Sequence, residues 1–342
     1  MPKLSLGLEQ ESEIRAQWPI EIEQELEKRG ISRQESLARQ AANRSWTLRD
    51  LVSTPTSSYY VNGHHDRFVA NPGGWWDWIG FVTHWEKQLR ILCSVRDNQR
   101  TAVRSGHGIG KTRAAAGIVL WFLYNFYPSR VITTAPTGRQ IELLLWGEIR
   151  RLHAGMDRNL REKRRIVNLG DNLLPKACRL TLDGDGNQDE GGQWYAIGFS
   201  TDKPEAFQGL HEVNILFVVD EASGVDHSIF DAIEGSLNTP NSRILAIGNP
   251  TDPSSYFGKI FLTKEGVDWH KLHISCWESP NVMAGKNILP GLCGYDWPEK
   301  QRQKWGESDP RYLIKVLGEF PERGGNTLVS YPVAYSALNI DL

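Results

Sequence analysis

The stretch "RSGHGIGKTRAAAGIVLWFLYNF", Arg104 to Phe126, narrows the possible folds more than any other part of the chain. Glycines alternate at Gly106, Gly108 and Gly110, and Lys111 and Thr112 lead directly into an apolar helical run, while "QRTAVR" before the loop reads as a short strand. Backbone N–H groups of a glycine-rich loop at a helix N-terminus converge on phosphate oxygens and are helped by the helix dipole. A lysine there supplies a point charge to the β- and γ-phosphates, and the next hydroxyl ligates Mg2+. The octet "SGHGIGKT" therefore predicts a site for ATP and Mg2+ built from Ser105, Gly106, His107, Gly108, Ile109, Gly110, Lys111 and Thr112. It departs once from the pattern G-x-x-x-x-G-K-[ST]: Ser105 stands at the first glycine position, with Gly106 following to make the turn.

Such a loop acts with an acidic strand end. In "NILFVVDEAS" an apolar strand places Asp220 at its C-terminal tip, where it can hold Mg2+, and sets Glu221 beside it to polarise an attacking water. A DE pair after a strand is commonly a solvated turn; the loop upstream makes it read as the second half of a hydrolase site. A third buried strand, in "RILAIGNPTDPSSYF", delivers Gly248, Asn249 and Thr251 to the edge where a γ-phosphate would sit, and a polar side chain there can sense that phosphate. In "THWEKQLRIL", Gln88 is a candidate for adenine recognition, with Trp85 nearby, because an amide both donates and accepts as the adenine N7/N6 edge requires. Arg104, Arg113 and Arg139 are candidates to neutralise transition-state charge. Arg139, at the entrance of the helix after "TTAPTG", is the one assigned, in its own site or a neighbouring subunit's.

From Gln99 onward strands alternate with helices, and "ACRLTLDG" and "GQWYAIGFS" read as a hairpin across a Gly/Asp/Asn-rich turn. The fold class expected is α/β, a three-layer P-loop nucleoside triphosphatase of the ASCE or RecA-like kind with a mainly parallel central sheet. Residues 1–70 read as a helical extension and connector, with Ile14, Trp18, Ile22 and Leu26 at helical spacing. Residues 71–280 read as the ATPase core and 281–342 as a lid or linker segment. The net charge of −2 gives no global reason to bind nucleic acid, so any such contact is local; the basic run "REKRRIV", Arg161 to Val167, is one candidate. Cys93, Cys178, Cys276 and Cys293 have no zinc-ligand spacing and read as reduced thiols. The N-terminus has no signal-peptide core, and the longest apolar run, Ile118 to Phe126, is too short to span a bilayer, so the chain reads as soluble and intracellular.

Taken in order, the phosphate loop, "APTGRQ", "EAFQGLH", "VVDEAS", "AIGNPT" and "KWGESDPRYLIKVLGEFP" resemble the ATPase region of phage large terminase subunits, over about residues 70 to 335. The resemblance implies a motor that hydrolyses ATP to move double-stranded DNA into a procapsid. By position, Lys111 and Thr112 would be the Walker A pair, Asp220 and Glu221 the Walker B pair, Gly248 to Thr251 the coupling motif and Gln88 the adenine reader. It also implies a portal protein and a small terminase subunit as partners, a homo-oligomeric ring when assembled, a domain that can be monomeric in isolation, and the host cytoplasm as location. Large terminases usually continue past the "GEFP" stretch into an RNase-H-like nuclease domain. Here Asp341 is the only aspartate beyond it, with Glu322 directly after Pro321 the one glutamate, so nuclease activity is not expected of this chain. A helicase-type ATPase would commonly need a second ATPase-like domain after Asn249, and a nucleotide-gated scaffold would not need Glu221; both are weaker readings.

Overall fold

The computed structural model describes residues 66–81, 84–126, 128–162, 172–174, 178–181, 195–200, 203–207 and 209–321. The helical pattern at Ile14 to Leu26 and most of the basic run at Arg161 to Val167 lie outside them. Among the described residues, one eight-stranded sheet runs in the order β3-β4-β5-β2-β6-β7-β1-β8. Its strands are β1 (Arg100–Ser105), β2 (Ser129–Thr134), β3 (Asn172–Leu174), β4 (Arg179–Thr181), β5 (Tyr195–Gly198), β6 (Asn214–Val219), β7 (Asn241–Gly248) and β8 (His270–Ile274). From β5 to β8 every neighbouring pair is parallel. The β3–β4 and β4–β5 pairs are antiparallel, so the hairpin partners read from the sequence do pair, and β3 extends them.

The strands in the middle of the sheet read as unbroken apolar runs because both their faces are covered. Along β6, Ile215, Phe217 and Val219 join one hydrophobic cluster and Leu216 and Val218 the other. β7 divides likewise, with Ile244 and Ala246 on one side and Leu245 and Ile247 on the other, which is the strand period of two in a three-layer fold.

The first face carries α1 (Asp66–Ala70), α2 (Pro72–Trp78), α3 (Glu86–Asp97), α4 (Lys111–Asn125) and α5 (Trp146–Glu162). α4 is buried at every residue from Ala114 to Asn125, an apolar-all-round helix at the centre of the layer. Its neighbours are fastened to it by indoles: Trp76 Nε1 donates to Gly117 O at 3.0 Å and Trp121 Nε1 to Phe68 O at 2.8 Å. Burying an aromatic side chain of this size stabilises by about 1.5–3 kcal/mol, and each indole N–H finds the partner that burial demands. Phe68 sits in this core, so the segment just before residue 71 packs with the helices on this face of the sheet. The opposite face carries α6 (His227–Glu234) and α7 (Tyr256–Leu262), which contribute Ile229, Phe230, Ile233, Phe257 and Ile260.

α5 is preceded by a π-helical turn, Gln140–Leu145, where the sequence predicts a continuous helix. Beyond β8 come α8 (Pro280–Met283) and α9 (Trp297–Trp305), and then a second π-helical turn, Leu313–Leu317. Tyr312 and Val316 of that last segment are buried in the core on the α4 side. No described helix is long and apolar enough to cross a membrane.

Candidate active site

Strand order brings the three sequence stretches together. β7 lies between β1 and β6, so the loop after β1, the acidic pair after β6 and the Asn after β7 emerge side by side at the C-terminal edge of the sheet. In open α/β sheets that edge is where ligands bind.

The loop departs from β1 at Ser105, which is buried and whose backbone φ is not positive, so a serine there costs nothing that a glycine would spare. The left-handed backbone falls instead at Gly108 (φ 65°) and Gly110 (φ 79°). Gly106 serves close approach: a Cβ on it would lie 2.5 Å from Cys276 Sγ and 2.6 Å from Val316 O. Among the described residues the backbone N–H groups of Gly108, Ile109, Gly110, Lys111 and Thr112 donate to no backbone or side-chain acceptor, although α4 begins there. Unsatisfied donors at the positive end of a helix fit a phosphate.

Two side chains of the α3 region hold this loop from behind. Trp85 Nε1 donates to Ile109 O at 3.2 Å, and Gln88 Nε2 donates to Gly110 O at 2.8 Å. Gln88 is 1% exposed, and its Oε1 accepts the Trp85 backbone N–H at 3.2 Å. The structure thus places Gln88 as a brace on the loop, and an amide so bonded retains one N–H and one lone pair. His107 is exposed at its edge, and the partial burial of its ring, with Lys111 and Lys315 nearby, lowers its pKa from the usual imidazole value.

Lys111 Nζ donates to Asn249 Oδ1 at 2.8 Å and lies 3.7 Å from Glu221 Oε1. Asn249 Nδ2 donates in turn to Ser105 O at 2.6 Å, so the one amide ties the lysine to the root of the loop. The Thr112 hydroxyl lies close enough to the Asp220 carboxylate to favour its charged form. Asp220 is buried, and burial together with the Glu221 charge pushes its pKa up to about 6, against the lowering effects of Lys111, the Glu221 backbone N–H and Thr112. A hydroxyl beside a buried carboxylate is a pair of hard oxygen donors that fits a divalent cation such as Mg2+. Among the described residues no group of three or more His, Cys, Asp or Glu side chains converges on a metal position.

Glu221 has φ 49° and ψ 44°, the single non-glycine residue of the described chain with positive φ. Strain of that kind persists where surrounding structure enforces it, often at functional sites. Here Gly248 packs against the turn, since a Cβ on it would come 3.0 Å from Ala222 N. Thr251 is exposed beside this turn.

Of the three arginines, two are engaged elsewhere. Arg104 pairs with Glu319 and lies over the Phe261 and Phe320 rings, and Arg113 pairs with Glu148 at 3.3 Å and lies over Phe81. Arg139 is exposed at the start of the Gln140–Leu145 turn.

Sequence reading missed the C-terminal strap beneath the loop. His107 N donates to Lys315 O at 2.8 Å, Cys293 N donates to Gly108 O at 2.7 Å, and Glu319 is the partner of Arg104. The nearest signal was Gly318, which has φ 72° and packs directly on Gly106.

A loop donor set at a helix N-terminus, an Asp–Glu pair on the next strand but one and an amide between them are the arrangement of a phosphate-binding loop in a three-layer α/β fold. No protein-family model matches the chain. It is 29% identical over 263 residues, 72% of its length, to the probable terminase large subunit of Enterobacteria phage P7. That alignment covers 49% of the relative, so the chain spans about half the length of the protein it matches. Among solved structures, a mutant of the large terminase ATPase domain of Thermus phage P74-26 superposes with TM-score 0.52 at 21% identity, covering 72% of this chain and 97% of that one. A second structure of that ATPase domain gives 0.51 at 19% identity, covering 72% and 96%. The chain is therefore similar in sequence to a phage large terminase and has the fold of a large-terminase ATPase domain.

Proposed function

We propose that this chain is a Mg2+-dependent ATPase that drives double-stranded DNA into a viral procapsid. The observation that carries the reading is the meeting of Lys111, the Thr112–Asp220 pair, Glu221 and Asn249 at the ends of three neighbouring parallel strands. DNA as the substrate moved, a portal protein and a small subunit as partners, a homo-oligomeric ring and the host cytoplasm as location follow from the likeness to large terminases.

In this reading the N–H groups of Gly108 to Thr112 and the Lys111 ammonium bind the phosphates, with Ser105, Gly106 and His107 shaping the entry of the loop. Gln88 offers its remaining amide groups to the adenine edge. Thr112 and Asp220 would hold Mg2+, which would supply positive charge to offset that of the phosphate oxygens. Glu221 accepts a proton from the attacking water and aligns it. Its contact with Lys111 is long enough to leave the carboxylate free to accept. Asn249 gives up Lys111 when phosphate arrives and takes it back when phosphate leaves, and through Ser105 O it passes that change to β1. Arg139 is proposed to complete the site of an adjacent subunit.

Lys111→Ala is expected to weaken Mg2+–ATP binding by ~30-fold, about 2 kcal/mol for a charge-assisted contact. Calorimetric titration checks it, and unchanged affinity would contradict the assignment of the loop.

A further inference from the structure

Two thiols outside the nucleotide machinery grip the phosphate loop. Cys276 opens the short turn Cys276–Glu278 after β8 and is buried; Cys293 lies in the turn 291–294 and is half-buried. Cys276 Sγ is within hydrogen-bonding reach of His107 O (3.1 Å) and Lys315 O (3.3 Å). Cys293 is fastened by its backbone N–H to Gly108 O, and its Sγ lies 3.8 Å from Cys276 O. The contact of Cys293 Sγ with the Cys276 carbonyl makes the two cysteines direct neighbours. A Cβ on Gly106 would strike Cys276 Sγ, and one on Gly108 would come 3.1 Å from Cys293 Cβ, so the sulfur pair and the loop are in direct packing. The other two cysteines, Cys93 in α3 and Cys178 beside β4, lie in other elements.

We propose that Cys276 and Cys293 form a dithiol oxidation site which a peroxide closes to a disulfide, weakening nucleotide binding at the adjoining loop. The regulatory half of this rests on the nucleotide reading given above.

The neighbouring Cys276 thiol brings the Cys293 pKa down to about 7, against the raising effect of burial. The neighbouring Cys293 thiol and burial push Cys276 up. Cys293, the more exposed of the two, is accordingly the nucleophile. Its thiolate attacks one peroxide oxygen, the O–O bond breaks, and the departing hydroxide takes a proton to become water, leaving Cys293 as a sulfenic acid. Cys276 sulfur then attacks the Cys293 sulfur, the S–O bond breaks, and the Cys276 proton leaves with the hydroxyl as a second water. Two thiols lose two electrons, and the peroxide gains them.

Closure has a mechanical consequence. The sulfurs must come together to about 2.05 Å, and Cys276 surrenders its thiol hydrogen and with it the bond to His107 O. Both movements act on Gly106 to Gly108, the residues that set the direction of the N–H groups following them.

The test treats the full chain with hydrogen peroxide near neutral pH, blocks remaining thiols by alkylation, and reads the products by mass spectrometry. Affinity for a fluorescent ATP analogue with Mg2+ is measured before oxidation, after it, and after dithiothreitol. The expected result is a peptide linking Cys276 to Cys293, a mass lower by about 2 Da for the two hydrogens lost, and binding weakened by ~tenfold or more and restored on reduction. Cys293→Ser and, separately, Cys276→Ser should each abolish the link and the peroxide sensitivity. Linkage to Cys93 or Cys178 instead, oxidation that stops at unlinked sulfinic acids, or a linked pair with unchanged affinity would each overturn the proposal. A reduced chain that binds no nucleotide would overturn the nucleotide reading and the regulatory half with it, while the linked peptide would still decide whether the two thiols pair.

Discussion

Asp220 and Glu221 are neighbours in sequence with different surroundings. The first is sealed at the end of β6 against Thr112; the second is turned by a left-handed backbone toward Lys111. The raised Asp220 pKa has a measurable consequence for the protein without metal. A carboxyl whose folded pKa of about 6 exceeds its ordinary value of 3.8 contributes stability that is full below the lower value and is lost as pH rises through the higher one. Above pH 7 the metal-free protein therefore carries a charge burden on the order of 2–3 kcal/mol. Asp220→Asn, which keeps the shape and loses the charge, is expected to raise the denaturant midpoint at pH 7.5 and leave it nearly unchanged at pH 4. Mg2+ should stabilise the parent chain and not the variant. Equal midpoints for the two chains at pH 7.5 would show that the carboxylate is not burdened. The residue types of this pair were legible in the sequence, since an apolar strand ending in DE is a local pattern. The positive φ of Glu221 was not, because it runs against glutamate's own backbone preference and goes with the close packing of the turn on Gly248.

Between elements, the central relation is that of the phosphate loop to the strap around Lys315 and Gly318. Gly318 combines φ 72° with a Cβ position 2.6 Å from Gly106 N, a backbone atom with nowhere to move. Gly285 has a similar φ of 63° and nothing within 4 Å of its Cβ position. Gly285→Ala should cost about 1 kcal/mol from backbone strain alone, and Gly318→Ala about 3 kcal/mol or more, with weakened nucleotide binding besides. Equal losses in urea unfolding would mean that the strap does not support the loop. Strands β1, β2, β6, β7 and β8 could be read from sequence because each is a compact apolar run or alternation bounded by turn residues. β3 could not, being three residues long and defined by its pairing with β4. The π-helical turns at Gln140–Leu145 and Leu313–Leu317 also escaped, since helical periodicity does not separate them from ordinary helix. The docking of the strap under the loop joins residues about 210 apart in the chain, and no local pattern encodes it.

At the scale of the whole molecule, a net charge of −2 leaves any grip on DNA to local surfaces, and exposed Arg139 is available to a neighbour in a way Arg104 and Arg113 are not. Arg139→Ala is expected to lower turnover by ~10³-fold where subunits assemble and to change it little in dilute solution, where each site works alone. Equal loss in both states would place the arginine in its own subunit's site. The central claim is that one Mg2+-dependent hydrolytic site is built by the loop, Thr112 with Asp220, and Glu221. Its most direct test is ATP turnover with Mg2+ by the parent chain and by Glu221→Gln, with nucleotide affinity measured for both. The account requires turnover by the parent that falls at least ~100-fold in the variant while affinity stays within a few-fold; hydrolysis by Glu221→Gln at the parent rate would contradict it.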